Sequence, residues 1–374
     1  MARLPFPQDL LQKLSTLESP LSKRPATPSA ALPSKVHRMQ FPETSLAPGI
    51  EVPVPVFRGS QQPSRRPKNP FDSPCLSDDF RNYLPLPATL DPHLEEALLH
   101  VLENPGSLVR PRIVLQMALA YGVETARAKD LAIALEYFHT ASLLFDDLPC
   151  MDDARERRGL PCTHVAYGEA GAILTALALV NRAYALSWKA ASGSPQNRQS
   201  LVLDYLERRL GVQGLLGGQS LDLHYSQLPH DGETNRQIAC GKTVSLIRLT
   251  LVLPALLGGA SSRELQLIER IATCWGLSYQ IADDLKDVLQ SASETGKTVA
   301  RDMLLDRPNT ALALGVPAAV KRLNRLIGLG ERALNGLLVS RPAVSFLRKL
   351  RNDLQSEVAR VSEGAAQLTA AARS

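Results

Sequence analysis

Apolar residues recur at helical spacing along most of the chain. Leu94, Ala97, Leu98, Val101 and Leu102 follow one another at intervals of three and four, the spacing of one helix face. The same period predicts helices over Arg112–Gly122, Ala126–Phe145, Gly168–Ala191, Asn197–Leu216, Gly232–Leu257, Ser262–Val288, Ala311–Leu338 and Ala343–Ala370. No segment sustains a period-two alternation, so no strand is predicted. The expected fold class is all-α, with roughly nine to twelve helices around one core. No internal repeat is evident.

The helical pattern begins only near residue 77. Fourteen of the 27 prolines lie before residue 81, mixed with Ser, Arg and Lys, and apart from Leu10 to Leu17 that region carries no period. Residues 1–76 are therefore expected to form a disordered Pro/Ser-rich extension, and residues 77–374 the all-α domain. The extension has no signal-peptide apolar core. A cytoplasmic location is expected, or an organelle such as a plastid if the extension is a transit peptide. Asp9, Glu18 and Glu43 argue against the latter. Apolar runs such as Leu249 to Leu257 are too short to span a bilayer.

Composition narrows the functional classes. The chain is 44% hydrophobic, ample for a core, and rich in alanine and leucine in its later part. Its net charge of +5 is a mild excess that does not point to nucleic acid. Cys75, Cys150, Cys162, Cys240 and Cys274 are scattered, with no zinc-knuckle spacing or disulfide framework, which suits a reducing compartment.

Candidate chemistry concentrates between Ser142 and His164. Asp146, Asp147, Asp152 and Asp153 fall within eight residues straight after an apolar run, and Arg155, Arg157 and Arg158 follow. Clustered carboxylates need a cationic partner, and oxygen-only ligands suit Mg²⁺, which shares its shell with substrate phosphates. The arginines suit the same phosphates through paired hydrogen bonds. The plainer reading is a solvated acidic turn between two helices. In an unbroken helix Asp146 and Asp152 would face about 240° apart. Pro149 lies between them and removes a helical hydrogen bond, so the helix is expected to end there and turn Asp152 back toward Asp146. A second acidic cluster, Asp283, Asp284 and Asp287, lies inside an apolar helix with Gln280 one turn earlier. Asp283 and Asp287 are about 40° apart and share a face. Two such helices facing across a cavity would make an all-α cage for several Mg²⁺ and a diphosphate.

Together these residues resemble the trans-isoprenyl diphosphate synthases, the family of farnesyl and geranylgeranyl diphosphate synthases. The first cluster has the form Asp-Asp-x-x-x-x-Asp, followed by Arg157-Arg158-Gly159, and the second Gln-x-x-Asp-Asp-x-x-Asp. Glu136-x-x-His139, Gly217-Gly218-Gln219 with Asp222, Lys242-Thr243, and Gly296-Lys297-Thr298 with Asp302 match further family positions in order. The resemblance implies an isoprenoid synthase-like helical bundle around a central cavity. It implies Asp146, Asp152 and Asp283 as Mg²⁺ ligands, supported by Asp147, Asp284 and Asp287, with three Mg²⁺ around a bound diphosphate. Arg157, Lys242, Thr243, Gln280 and Lys297 would hold an allylic diphosphate, and Arg110, His139 and Arg158 isopentenyl diphosphate. It also implies a homodimer. Taken singly each residue has a duller reading: His139 as a satisfied core histidine, Arg110 as a surface charge, Lys242 as a helix-end charge.

The chain departs from the family at three places. Ser107 and Leu108 stand where two basic residues are usual, Ala176-Leu177 replaces Gly-Asp, and Lys286 puts a cation inside the second motif. These changes leave two other readings open: a weakly active or non-catalytic subunit of a partner synthase, and a class I terpene cyclase. For the cyclase, Asn352-Asp353-x-x-Ser356 begins the usual motif, but Arg360 stands where Glu is needed. In the resembling family, bulk four and five residues before the first motif stops growth at shorter chains; here these are Ser142 and Ala141, roughly 6–7.5 Å below Asp146. Both are small, so the first floor of the tunnel is open, with Phe138 or Tyr137 as the next. A C20 product, geranylgeranyl diphosphate, is expected, with C15 farnesyl diphosphate as the alternative.

Overall fold

The computed structural model describes residues 73–295 and 307–371. Within them the chain forms α1 (Ser73–Asn82), α2 (Pro92–Leu102), α3 (Val109–Ala120), α4 (Thr125–Asp146), a hairpin of β1 (Glu156–Arg157) and β2 (Leu160–Pro161), and α5 (Thr163–Ser192). Then follow α6 (Gln196–Leu210), α7 (Leu215–Leu223), α8 (Gly232–Ala239), a π-helical turn at Cys240–Val244, α9 (Ser245–Leu257) and α10 (Ser262–Thr295). α11 (Thr310–Leu314), α12 (Val316–Ser340) and α13 (Leu347–Ala371) complete the bundle. The expected all-α class holds, with the two-residue strands as the one exception among the described residues. Residues 1–72, and with them most of the expected extension and any transit role, lie outside the described residues, as do Gly296, Lys297, Thr298 and Asp302.

Local chemistry sets the boundaries. Asp91 caps α2 by accepting from the His93 and Leu94 amides, with Pro92 in the first turn. The predicted helix Asn197–Leu216 breaks in two because Gly211 leaves the helical conformation and α7 restarts at Leu215. The predicted helix Ala311–Leu338 breaks at Gly315, whose φ of +79° only glycine adopts readily. The hairpin turns on Arg158 and Gly159, both left-handed at φ 57° and 78°, as a two-residue turn that follows strand twist requires.

The bundle is built around α4 and α10. α4 is buried on nearly all sides from Ala128 to Leu144, packing chiefly against α5 and also α3. α10 packs chiefly against α12, with α9 and α13 beside it. Each acidic motif therefore sits on a helix fixed by core contacts. Two stretches, Thr163–Ser192 and Gly232–Leu257, are long and apolar enough to cross a bilayer, which corrects the expectation of uniformly short apolar runs. The second is mostly buried in the bundle and contains α9, whose side chains are core from Arg248 to Leu257. α5 leaves Leu174, Leu177, Tyr184 and Trp188 outward in a stripe at helical spacing.

The domain begins earlier than its periodicity suggested. α1 starts at Ser73, inside the segment assigned to the extension, and Leu76 and Phe80 are fully buried. The Phe80 ring meets Tyr137 of α4 edge-on at 5.1 Å, and the Tyr137 hydroxyl donates to the Phe80 carbonyl at 2.6 Å. Phe80→Ala is expected to lower the unfolding free energy by about 3–5 kcal/mol, read by urea denaturation. A loss below about 1 kcal/mol would show α1 to be peripheral.

Candidate active site

The first motif is shaped by the end of α4. Asp146 is the last helical residue, and the chain then folds back so that the Asp152 amide donates to the Asp146 carbonyl at 2.9 Å. The Met151 amide donates to the Leu148 carbonyl at 2.9 Å, and Asp153 takes a positive φ of 45°. The expected turn beyond Pro149 thus brings Asp152 beside Asp146. Burial, with Asp152 and Asp222 adding to it, pushes the Asp146 carboxyl up to about 6 despite the opposing charges of Lys242 and Arg157. Asp152 accepts from Arg307 Nη2 at 2.9 Å.

Asp147 goes elsewhere. It is 2% exposed, and Arg157 grips it through Nε at 3.0 and 2.8 Å and Nη2 at 2.5 Å. Successive helical residues point about 100° apart, so the doublet divides its work. Asp146 meets the cationic cluster and Asp147 orients Arg157.

The second motif divides in the same way. Asp283 is 58% exposed and lines, with Asp287, a cavity of about 270 Å³. Asp284 is 4% exposed and turns inward. Its Oδ1 accepts from Gln280 Nε2 at 2.9 Å and its Oδ2 from the Thr310 amide at 2.8 Å. Gln280 Oε1 in turn accepts from the Thr243 hydroxyl at 2.8 Å. This chain ties α10 to α11 and to the π-helical turn. Lys286 lies 2.6 Å from Glu357 on α13 and only 4.0 Å from Asp283. The intruding cation therefore turns away from the motif, and its hydrogen bond to Glu357 raises its pKa.

A glycine contact positions the cation opposite these acids. α7 crosses the π-helical turn with Gly218 against Gly241, where a Cβ on Gly218 would lie 2.5 Å from the Lys242 nitrogen. That approach brings Asp222 to 2.8 Å from Lys242 Nζ. Burial would depress the lysine, but Asp222, Asp146 and Asp152 outweigh it and raise its pKa. A π-helical turn of this kind is frequent at functional sites.

Arg110, His139 and Arg158 form a separate basic group. Arg110 Nη1 donates to His139 Nε2 at 2.8 Å. Burial, reinforced by Arg110, Arg158 and Arg157, drives His139 down to about 3, so the ring is neutral. Burial also lowers Arg110, opposed by Glu136, and raises Glu136, opposed by Arg110 and Arg158. His139 Nδ1 and Glu136 Oε2 are buried without a partner among the described residues. Ser107 is exposed and Leu108 is buried in a left-handed conformation at the N-cap of α3. A second cavity of about 290 Å³ opens beside Arg157 and Arg158.

Among the described residues no three His, Cys, Asp or Glu side chains converge on one metal position. Asp146 and Asp152 stand together beside Lys242, and Asp283 lines the cavity that Lys242 and Arg307 also line. The donor set is oxygen alone, which fits Mg²⁺ completing its shell with diphosphate oxygens and water. Periodicity missed two cavity residues. Arg307 is legible only as a cation just before Pro308, and Asn235 is a polar residue on a buried helix face with no motif to mark it.

Residues 91–332 match the family model for polyprenyl synthetase, well over half of the chain. The chain belongs to the polyprenyl synthetase family. Among relatives of this polyprenyl synthetase is a putative geranylgeranyl pyrophosphate synthase 8, chloroplastic, of Arabidopsis thaliana, 33% identical over 247 residues, 65% of this chain and 68% of the relative. Another is a chloroplastic geranylgeranyl pyrophosphate synthase of Capsicum annuum, 35% identical over 248 residues, 66% of this chain and 67% of the relative. Similar solved structures include an FPP/GFPP synthase from Zymomonas mobilis, with TM-score 0.60, 26% identity and coverage of 72% and 91% of the two chains. A geranyltranstransferase from Thermotoga maritima aligns with TM-score 0.61, 26% identity and coverage of 75% and 96%. The isoprenoid synthase fold expected from the resemblance is thereby established for this polyprenyl synthetase.

Because Asp146 is raised from 3.8 to about 6, the folded protein binds more protons than the unfolded chain between those values. Stability from this group is full at low pH and falls as pH rises through about 6. In metal-free buffer, Asp146→Asn is expected to raise the unfolding free energy at pH 7 by on the order of 1–3 kcal/mol. The gain should vanish below pH 4. Denaturation at both pH values checks this, and an equal effect at each would show that the carboxylate is not desolvated.

Proposed function

We propose that this polyprenyl synthetase joins isopentenyl diphosphate to an allylic diphosphate in a Mg²⁺-dependent reaction, with geranylgeranyl diphosphate as its product. The observation that carries the reading is one cavity lined by Asp222, Asp283, Asp287, Lys242 and Arg307, with Asp146 beside Lys242 and Asp152 paired to Arg307. Such a site neutralises a diphosphate and the pyrophosphate that leaves from it. Asp146, Asp152, Asp283 and Asp287 are assigned to Mg²⁺, and Lys242 and Arg307 to the diphosphate. Asp147 and Asp284 act through others, holding Arg157 and the Thr243–Gln280 pair. Mg²⁺, when bound, withdraws charge from the departing pyrophosphate.

The residues around it do the rest. Lys242 and Arg307 stabilise charge as the allylic C–O bond breaks and pyrophosphate takes the electron pair. Arg110 and Arg158 hold isopentenyl diphosphate, whose double bond attacks the allylic cation. The terminal alkene carbon bonds to C1 of the allylic cation, the positive charge passes to the other alkene carbon, and a proton lost from the neighbouring carbon to the released pyrophosphate leaves the new double bond. Neutral His139 accepts from Arg110 and fixes its guanidinium without adding charge. Leu143 and Leu144 of α4, which line the second cavity, would exclude water that would capture the cation.

The rival readings fare less well. In the cyclase motif Arg360 is exposed and pairs with Glu357 on its own helix. Asp283 and Asp287 at the cavity, with Asp146 and Asp152 beside its cations, disfavour a non-catalytic subunit. The outward apolar stripe of α5 supports the expected homodimer, since a second copy would cover Leu174, Leu177, Tyr184 and Trp188.

Two measurements test the assignment. Asp283→Ala is expected to lower turnover by several orders of magnitude while circular dichroism stays unchanged, since charge on the leaving group goes uncompensated. Near-normal turnover would sink the reading. Product length rests on Ala141, which is fully buried, and on Phe138 three residues earlier, whose ring meets Tyr184 of α5 at 4.8 Å. Tyr137 is tied to Phe80 on α1 and so leaves the floor to Phe138. Ala141→Phe is expected to shorten the product by one or two isoprene units with substrate consumption retained. An unchanged product from a folded, active variant would place the tunnel elsewhere.

A further inference from the structure

Asn235 stands out among the residues around the cavity. It lies on α8 and is 3% exposed, yet neither Oδ1 nor Nδ2 has a partner among the described residues. An amide buried without partners is costly, because both ends have lost water. It lines the same cavity as Lys242, Asp283, Asp287 and Arg307. It also borders a void of about 10 Å³ lined by Ala239, Leu277 and Ile281 and by the polar Arg236, Gln280, Thr310 and Arg322. Gln280 is committed to Thr243 and Asp284 and Arg236 to Glu233, and none of these residues bonds the amide. The open side of the cavity is where the amide can be satisfied.

The chemistry of that cavity says by what. Its acids offer acceptors only, its cations donors only, and a diphosphate with Mg²⁺ needs both. Phosphate oxygens accept hydrogen bonds, and Mg²⁺ keeps several waters whose hydrogens need acceptors. A carboxamide is a neutral side chain that does both at once.

We propose that Asn235 is a ligand-binding residue of this cavity, donating Nδ2–H to a diphosphate oxygen and accepting through Oδ1 from metal-bound water. The inference rests on reading the cavity as a diphosphate site. Asn235 gives that site a contact independent of charge, so it selects for the hydrated metal–diphosphate pair over a bare anion.

Asn235→Leu tests this, because leucine has the same branched heavy-atom shape and finds Ala239, Leu277 and Ile281 beside it. Removing a buried unsatisfied amide should leave the melting temperature of the full chain unchanged or raise it. The same variant is expected to weaken binding of inorganic pyrophosphate in the presence of MgCl₂ by about 10- to 100-fold, measured by calorimetry. The KM for isopentenyl diphosphate should stay within about twofold, since Arg110, His139 and Arg158 form the other group. Asn235→Ala, which cannot overpack, should show the same loss of affinity. A folded variant of either kind with unchanged pyrophosphate affinity overturns the inference and assigns the amide to a trapped water in the small void. A wild-type protein that does not bind pyrophosphate with MgCl₂ overturns the diphosphate reading itself, and this inference with it.

Discussion

Repulsion between carboxylates brought out of water is the constraint on which the site depends. Asp146 and Asp152 lie side by side at the end of a buried helix, with Asp222 near enough to raise Asp146 further. Such a group is tolerated only against fixed cations. Lys242 arrives from the π-helical turn and Arg307 from the start of the segment before α11. Each comes from a different part of the chain, so the cluster also pins those parts to one another. The long helices α4 and α10 supply rigidity, and the short irregular pieces supply the charges.

The two acidic doublets show how neighbouring residues take opposite parts. Asp146 and Asp283 face the cationic cluster and cavity, while Asp147 and Asp284 face inward and hold other residues in place. The second partners are a guanidinium in one case and an amide side chain with a backbone N–H in the other. The basic side of the molecule follows a related logic. Burial, reinforced by three nearby arginines, keeps the His139 imidazole neutral, so it accepts a hydrogen bond where a second cation would repel.

Much of this was legible in the residues. Helical spacing located most of the bundle, and Pro149 between Asp146 and Asp152 foretold the turn that unites them. The order of motifs from Glu136 to Gln280 pointed to the family before any geometry was known. What periodicity could not resolve were effects of long-range packing. Leu76 and Phe80 sit near a proline-rich stretch, and Phe80 is core because it meets Tyr137, far along the chain. Gly315 divides a pattern that looks continuous. Arg307 and Asn235 carry no spacing signal, because their relation to the aspartates exists only after folding.

The contact between Gly218 and Gly241 has a consequence for how this sequence can change. A Cβ on Gly241 would lie 2.6 Å from the Gly218 Cα, and one on Gly218 would press on Gly241 and Lys242. Both are backbone neighbours with no flexible end to yield. A substitution at either glycine cannot be repaired by altering the other, which has no side chain to trim. Drift at this crossing is therefore blocked from both sides, and the freedom to vary the chemistry of the site passes to residues that touch the cavity without holding the helices together.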